Sequence, residues 1–229
     1  MQADPRLSVI VPTLDEASCV AGLLGDLAPL RASGHELIVI DGGSTDNTVG
    51  IAAPLVDRVI SAERGRALQM NAGAHVATGD ILWFLHADTR VAADAAQRLI
   101  DACANDHAVW GRFDVSLAGA TPLLRVVAAM MNLRSRLTGV ATGDQGIFVA
   151  REQFLAGGGF PAIPLMEDIA LSKILRRLAR PACIRHPRLQ TSGRRWEKHG
   201  VIRTILLMWR LRLAYALGTP PQKLARRYP

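Results

Sequence analysis

Apolar positions gather into short, nearly continuous runs in the front of the chain: LSVIV at 7–11, ELIVI at 36–40, a shorter RVI at 58–60 and ILWFL at 81–85. A strand that is apolar at nearly every position has both faces buried, as in a parallel sheet covered by helices on each side. Stretches of helical spacing lie between the runs, at 16–30, 46–53, 65–77 and 91–104. Strand and helix therefore alternate, and right-handed crossovers are expected. Ser44 or Asp46 is expected to cap the second helix, and Gly42, Gly43 and Gly65 to serve turns. The rear is less regular. It predicts strands at 109–115, 146–150 and 182–186, and helices at 122–137, 167–179 and 201–217, the last stopped by Gly218 and Pro220-Pro221.

Length and composition fit one α/β domain over 1–229. The chain is long enough for a substantial core, with 49% apolar residues, no internal repeat and no clear linker. No stretch of 18 residues is free of charge, so no membrane-spanning helix is expected. The start, MQADPRLSVIVP, lacks the pattern of a signal peptide. Cys19, Cys103 and Cys183 are scattered and odd in number, which predicts buried thiols in a reducing compartment and a cytoplasmic location.

Charge divides the chain. Residues 1–110 hold 7 basic and 14 acidic residues, a balance of −7, whereas residues 111–229 hold 20 and 6, a balance of +14. A basic rear predicts an anionic partner. No recognised nucleic-acid module accompanies it, so nucleic acid is not expected. The helix at 201–217 has Ile202, Ile205, Leu206, Trp209 and Leu213 at helical spacing, with Arg203, Arg210 and Arg212 beside them. Core packing is the first expectation for such a face. Contact of 201–227 with an anionic membrane surface, at the inner face of the membrane, is the second.

The candidate chemistry sits after the strands. Asp15 and Glu16 follow the first, Asp41 the second and Asp88 the fourth. Ligands of parallel α/β sheets bind beyond the carboxyl ends of the strands. Carboxylates gathered there repel one another unless they hold a cation or a ribose.

These segments carry a resemblance. VIVPTLDEASCV, ELIVIDGGSTDNT and GRALQMNAGAHVATGDILWFLHADT, followed by GDQGIFVAREQF and GGFPAIPLMEDIALSKIL, resemble in order and spacing the family 2 glycosyltransferases of the GT-A fold. The FLHADT form resembles a small bacterial branch of that family. The resemblance implies a Rossmann-like GT-A domain with a nucleotide-sugar half over 1–110, an acceptor and catalytic half over 111–195, and a basic amphipathic C-terminal helix and tail over 196–229. It implies that Pro12, Thr13, Asp15 and Glu16 embrace the base and ribose, that Asp41 meets the base, and that Arg64 or Arg66 stands near the diphosphate. Asp88 would be the last acid of the DxD motif and hold Mn²⁺ or Mg²⁺. Asp168, with Glu167 as its rival, would be the general base of an inverting transfer to an unknown hydroxyl acceptor, a lipid-linked one included. Asp144 and Gln145 are expected to face acceptor or donor sugar, and Arg195 and Trp196 the diphosphate.

The sequence departs from the family pattern at two points. His86 replaces the first acid of DxD, which removes negative charge and tilts preference toward Mn²⁺, the ion with the higher affinity for nitrogen. A single acid, Asp41, stands where the family has a pair, and a UDP-sugar is the expected donor. A nucleotidyltransferase would need a Gly-rich loop with a lysine near the start, which VPTLDEAS lacks. A non-catalytic nucleotide-sugar-binding or membrane-surface module that kept the fold is the alternative that His86 supports.

Overall fold

The computed structural model describes residues 4–119 and 121–227, apart from the side chains of Arg195, Glu197 and His199. One sheet runs through them, made of β1 (Leu7–Thr13), β2 (Glu36–Asp41), β3 (Arg58–Ser61), β4 (Ile81–Phe84), β5 (Trp110–Leu117), β6 (Phe148–Ala150) and β7 (Ala182–Thr191). Its order is β3-β2-β1-β4-β6-β5-β7. The β1–β2, β2–β3, β1–β4 and β5–β7 pairs are parallel, and β6 runs antiparallel to both β4 and β5. The mostly parallel sheet expected from the apolar runs is therefore present, with one strand reversed.

Successive residues of a strand face opposite sides of the sheet, and both sides are filled. Val9, Val11, Leu37, Val39 and Trp83 pack with α1 (Val20–Ala32) and α4 (Ala95–Ala104). Ile10, Ile38, Ile40, Leu82 and Phe84 pack on the other side with α3 (Arg66–Val76) and α7 (Glu167–Leu175). The remaining helices are α2 (Thr48–Ala52), α5 (Pro122–Thr138), α6 (Arg151–Ala156), α8 (Arg194–His199), α9 (Val201–Ala216) and α10 (Pro221–Ala225).

Several expected boundaries move, each for a visible reason. α1 starts at Val20 rather than 16, because the Glu16 and Ala17 amides donate to Thr48 Oγ1 and Asp46 Oδ2 instead of entering a helix. Neither Ser44 nor Asp46 is the N-cap of α2. The helix begins at Thr48 after Asn47, and Asp46 accepts the Thr48 amide and hydroxyl. α4 starts at Ala95 rather than 91, because Arg90 forms a bridge with Gln190 and the Val91 amide donates to Asp26. β7 passes through Pro187 to Thr191, where a strand ending at 186 is expected. It is an edge strand with a register shift opposite Phe113 and Val115, a place where a missing amide is tolerated. At that shift Asn132 of α5 accepts the Val115 amide and donates to the Val115 carbonyl, both at 2.9 Å. Pro221 opens α10 as well as following the stop of α9, since proline suits a first helical turn.

Two burial expectations also fail. The three cysteines are unpaired but only half-buried; burial pushes the Cys103 thiol up to about 11, and burial with Glu16 pushes Cys19 up to about 12. The apolar face of α9 does not pack into the core: Ile202, Leu206, Trp209 and Leu213 are exposed, and Thr204 and Leu211 are the buried positions. No described helix is long and apolar enough to cross a membrane.

Candidate functional site at the carboxyl rim

The carboxyl ends of parallel strands share one edge of the sheet. The reversed strand β6 brings its amino end to the same edge, so the GDQ turn before it joins the loops that follow β1, β4 and β7. Above this rim lies a cavity of about 1040 Å³. Pro12, Thr13 and Glu16 from β1 and its loop, Arg64 and Arg66 at the start of α3, and His86 and Asp88 after β4 line it. Asp144, Glu167, Asp168 and Trp196 line it from the rear half. Asp15, Asp41 and Gln145, also expected at the site, are absent from this lining, and the Arg195 side chain lies outside the described residues.

Those three residues build the rim. Asp41 is 4% exposed; its carboxylate accepts the Gly43 and Ser44 amides at 3.0 and 2.9 Å and the Ser44 hydroxyl at 2.5 Å. Burial works to raise its pKa, but the hydrogen bonds from Ser44, Gly43 and Thr13 outweigh it and hold the acid below the usual range. Asp15, at φ 54°, accepts the Thr45 amide and hydroxyl and the Asp46 amide, tying the β1 loop to the β2 loop. Gln145 is fully buried, and its Oε1 accepts the Thr142 amide at 3.1 Å in a capping box.

Gln69 was not among the expected residues. Its Nε2 donates to the Thr13 and Ile40 carbonyls, both at 2.8 Å, locking the ends of β1 and β2 to α3 beside the cavity. The signal in the sequence is a glutamine among the apolar positions of ALQMNAGA. A Cβ on Gly42 would stand 3.0 Å from the Gln69 amide, so this glycine gives room to Gln69, while Gly43, at φ 91°, makes the turn. Arg194, the first residue of the Arg194-Arg195-Trp196 run that resembles the family's Arg-Trp element, reaches Glu16 at 3.7 Å and the Ser18 hydroxyl at 3.3 Å.

The opposite edge joins three distant segments. His86 Nδ1 stands 3.2 Å from Asp144 Oδ1. The imidazole also lies against Gly143, where a Cβ would come within 2.5 Å of Nε2. The Gly143 amide in turn donates to Asp168 Oδ2 at 3.0 Å, and Oδ1 accepts the Ile169 amide at 2.7 Å. HAD, GDQ and ED are thus one connected unit, and neither Glu167 nor Asp168 caps α7, whose N-cap is Met166. Glu167 turns toward Arg66, 4.0 Å away.

Two acids in this unit are raised. Asp88 is raised by burial first, with Asp144 and Glu16 adding to it and His86 and Arg194 opposing. Glu167 is raised by burial and by Asp168, against Arg66 and His86. Among the described residues no three His, Cys, Asp or Glu side chains form a cation cage, and no hydrogen bond to Asp88 is found. A half-buried carboxylate with a second one nearby fits a hard cation completed by substrate phosphates, the usual mode of such ions.

The model of glycosyl transferase family 2 matches residues 8–150, more than half of the chain. The chain belongs to that family. A PGL/p-HBAD biosynthesis glycosyltransferase of Mycobacterium bovis (strain BCG / Pasteur 1173P2) is 41% identical over 93 residues, covering 38% of this chain and 36% of that protein. Among solved structures, S. aureus TarS 1–349 in complex with UDP-GlcNAc aligns with TM-score 0.67 at 18% identity, covering 82% of this chain and 58% of that one. Mannosyltransferase PcManGT from Pyrobaculum calidifontis, in complex with GDP-Man and Mn²⁺, aligns with TM-score 0.66 at 22% identity, covering 93% and 62%. The chain thus spans about a third of the mycobacterial relative and under two thirds of either solved chain. The fold is the GT-A fold expected of the family.

Proposed function

We propose that this family member transfers a sugar from a nucleotide-diphosphate donor, a UDP-sugar being the first to test, to an acceptor hydroxyl with inversion at the anomeric carbon. The observation that carries this is the hydrogen bond from the Gly143 amide to Asp168. It fixes a carboxylate on the same cavity that Arg64, Arg66 and Asp88 line, so that a donor and a base share one cleft. Pro12, Thr13 and Glu16 would contact the nucleoside. Arg64 and Arg66 would meet the diphosphate. Asp41 and Asp15 would act mainly by shaping the turns that hold those contacts.

Asp88, with the His86–Asp144 pair beside it, would hold a divalent cation, Mn²⁺ before Mg²⁺. Such a cation supplies positive charge to the leaving diphosphate. Asp168 would accept the acceptor's proton as its oxygen bonds to the anomeric carbon and the sugar–phosphate bond breaks. One displacement opposite the leaving group inverts the centre. Glu167 faces Arg66 and the donor side, so Asp168 is the better-placed base.

The test is a thermal-shift panel of nucleoside diphosphates and their sugars with Mn²⁺ and with Mg²⁺, followed by turnover and NMR of the product anomer. Asp88→Asn is expected to abolish the cation-dependent part of the shift. A cation-dependent shift that is unchanged in Asp88→Asn would overturn the cation assignment. Nucleotide binding with no turnover over a broad acceptor panel would favour the non-catalytic module.

A further inference from the structure

Beyond Asp168 the cavity leaves the sheet and runs between α5 and α9. Its walls there are apolar: Val126 and Met130 on α5, Met208 and Trp209 on α9. Val126, Met130 and Trp209 are 56%, 54% and 66% exposed. Arg134 and Arg212 line the same cavity one helical turn or less past Met130 and Trp209. Neither arginine has an acid within 4.0 Å among the described residues, and Arg134 Nη2 is buried with no hydrogen-bond partner among them. Burial, and then the charge of Arg212, press Arg134 down to about 10 against the opposing charge of Asp168; burial also lowers Arg212, with Asp168 and Asp144 opposing.

Two half-buried cations brought together, one with an unpaired donor and with Asp168 as their shared acid, leave positive charge that a further anion would offset. The nucleotide's diphosphate is not that anion if it lies along Arg64 and Arg66. A small free anion would leave the apolar walls uncovered. An amphiphile uses both features. Exposed Ile202, Leu206 and Leu213 continue the apolar surface along α9 with Arg203 and Arg210 among them, the pattern of a helix at a membrane surface.

We propose that the acceptor is a phosphate-bearing lipid, its apolar chain seated between α5 and α9 and its phosphate held by Arg134 and Arg212, which brings its hydroxyl to Asp168. The role as acceptor rests on the transferase function proposed above; lipid binding itself can be measured without turnover.

The experiment is flotation of the full chain with vesicles of phosphatidylcholine alone and of phosphatidylcholine containing phosphatidic acid. Wild type is expected to prefer the second. Arg134→Gln/Arg212→Gln should lose that preference by about tenfold or more, while Arg203→Gln/Arg210→Gln on the outer face should lose less. Circular dichroism and the nucleotide thermal shift, read on the same samples, exclude misfolding; if the double variant misfolds, Arg134→Lys and Arg212→Lys singly are expected to weaken the preference. Full preference in Arg134→Gln/Arg212→Gln, or loss wholly accounted for by Arg203→Gln/Arg210→Gln, overturns the proposal in favour of plain surface attraction. Stabilisation by inorganic phosphate through Arg134 and Arg212, with no vesicle preference, overturns the lipid and leaves a free-phosphate site. Vesicle preference that depends on Arg134 and Arg212, without nucleotide binding, would sink the transferase function and keep the lipid site.

Discussion

The donor-side wall of the cleft is made of turns, and the opposite wall is made of helices, and the two treat charge in opposite ways. On the donor side most carboxylates are already spent. Asp15, Asp41 and Asp46 accept amides and hydroxyls from the loops after β1 and β2, and away from the cleft Asp26 and Asp57 pair with Arg90 and Arg31. The deficit of −7 in residues 1–110 therefore goes largely into rigidity, and Asp88 stands out as an acid with no described donor. On the opposite side Arg134 and Arg212 have no acid within 4.0 Å among the described residues, and Asp168 offsets their charge only from a distance, next to apolar side chains left in water. A net charge per half, read from composition, conceals this difference between charge used to fold and charge kept for a ligand.

The strongest way to break the comparison is at Asp168, the one acid of the rear wall assigned to chemistry. Asp168→Asn is expected to lower kcat by about 10²–10⁴-fold with nucleotide affinity little changed. Glu167→Gln, on the Arg66 side, should act mainly on donor binding. Steady-state kinetics with both variants decide it, and a larger kcat loss in Glu167→Gln would exchange the two roles.

Gly143 tests whether the rear turn and the donor edge really act as one unit. A Cβ there would meet the His86 ring at 2.5 Å, so Gly143→Ala must move His86, the turn or both. Misplacement on the scale of an ångström costs about 10²-fold in rate. Single-turnover rates should fall by that order while the melting temperature changes little. A rate equal to wild type would mean that the contact between HAD and GDQ has no catalytic weight.

How far these features can be seen in the sequence follows from how local they are. The four apolar runs place β1 to β4 within a residue or two, because burial on both faces leaves a signal in consecutive positions. The motifs bring Glu16, Arg66, Asp88 and Asp168 to one cavity. The start of α1 and the true work of Asp15 and Asp41 are not legible, since they depend on bonds between loops some 30 residues apart. The reversal of β6 is hidden for the same reason: FVA is too short to carry a direction. The apolar stripe of α9 was legible as a stripe but not as exposed, because periodicity reports a face and says nothing of what covers it.

Acidity separates the two walls more gently. Asp88 is raised by burial, with Asp144 and Glu16 adding to that and His86 and Arg194 opposing. Cation binding needs the ionised form, so Mn²⁺-dependent nucleotide affinity should begin to fall, as pH is lowered, above the pH of an ordinary carboxylate. The linkage for the cation-free protein has the opposite sign. A raised folded pKa gives stability that is present at low pH and lost as pH rises through it. Asp88→Asn should therefore leave the cation-free protein as stable as wild type or more so near neutral pH, by thermal denaturation. A clear loss of stability would mean that Asp88 is a structural acid like Asp41.

The smallest effect expected is at Asp15, where the donor wall's dependence on loop bonds can be measured alone. Its backbone is left-handed, a conformation that asparagine and aspartate tolerate better than most residues. Asp15→Asn keeps that tolerance and one carbonyl acceptor for the Thr45 and Asp46 amides. Asp15→Ala keeps neither and should cost about 1–2 kcal/mol in urea unfolding, with Asp15→Asn well below that. If instead Asp15→Asn unfolds like wild type but binds the nucleotide much more weakly, its carboxylate touches the ligand. The donor wall would then hold a second acid free for substrate, and the contrast between spent and unspent charge would lose one of its members.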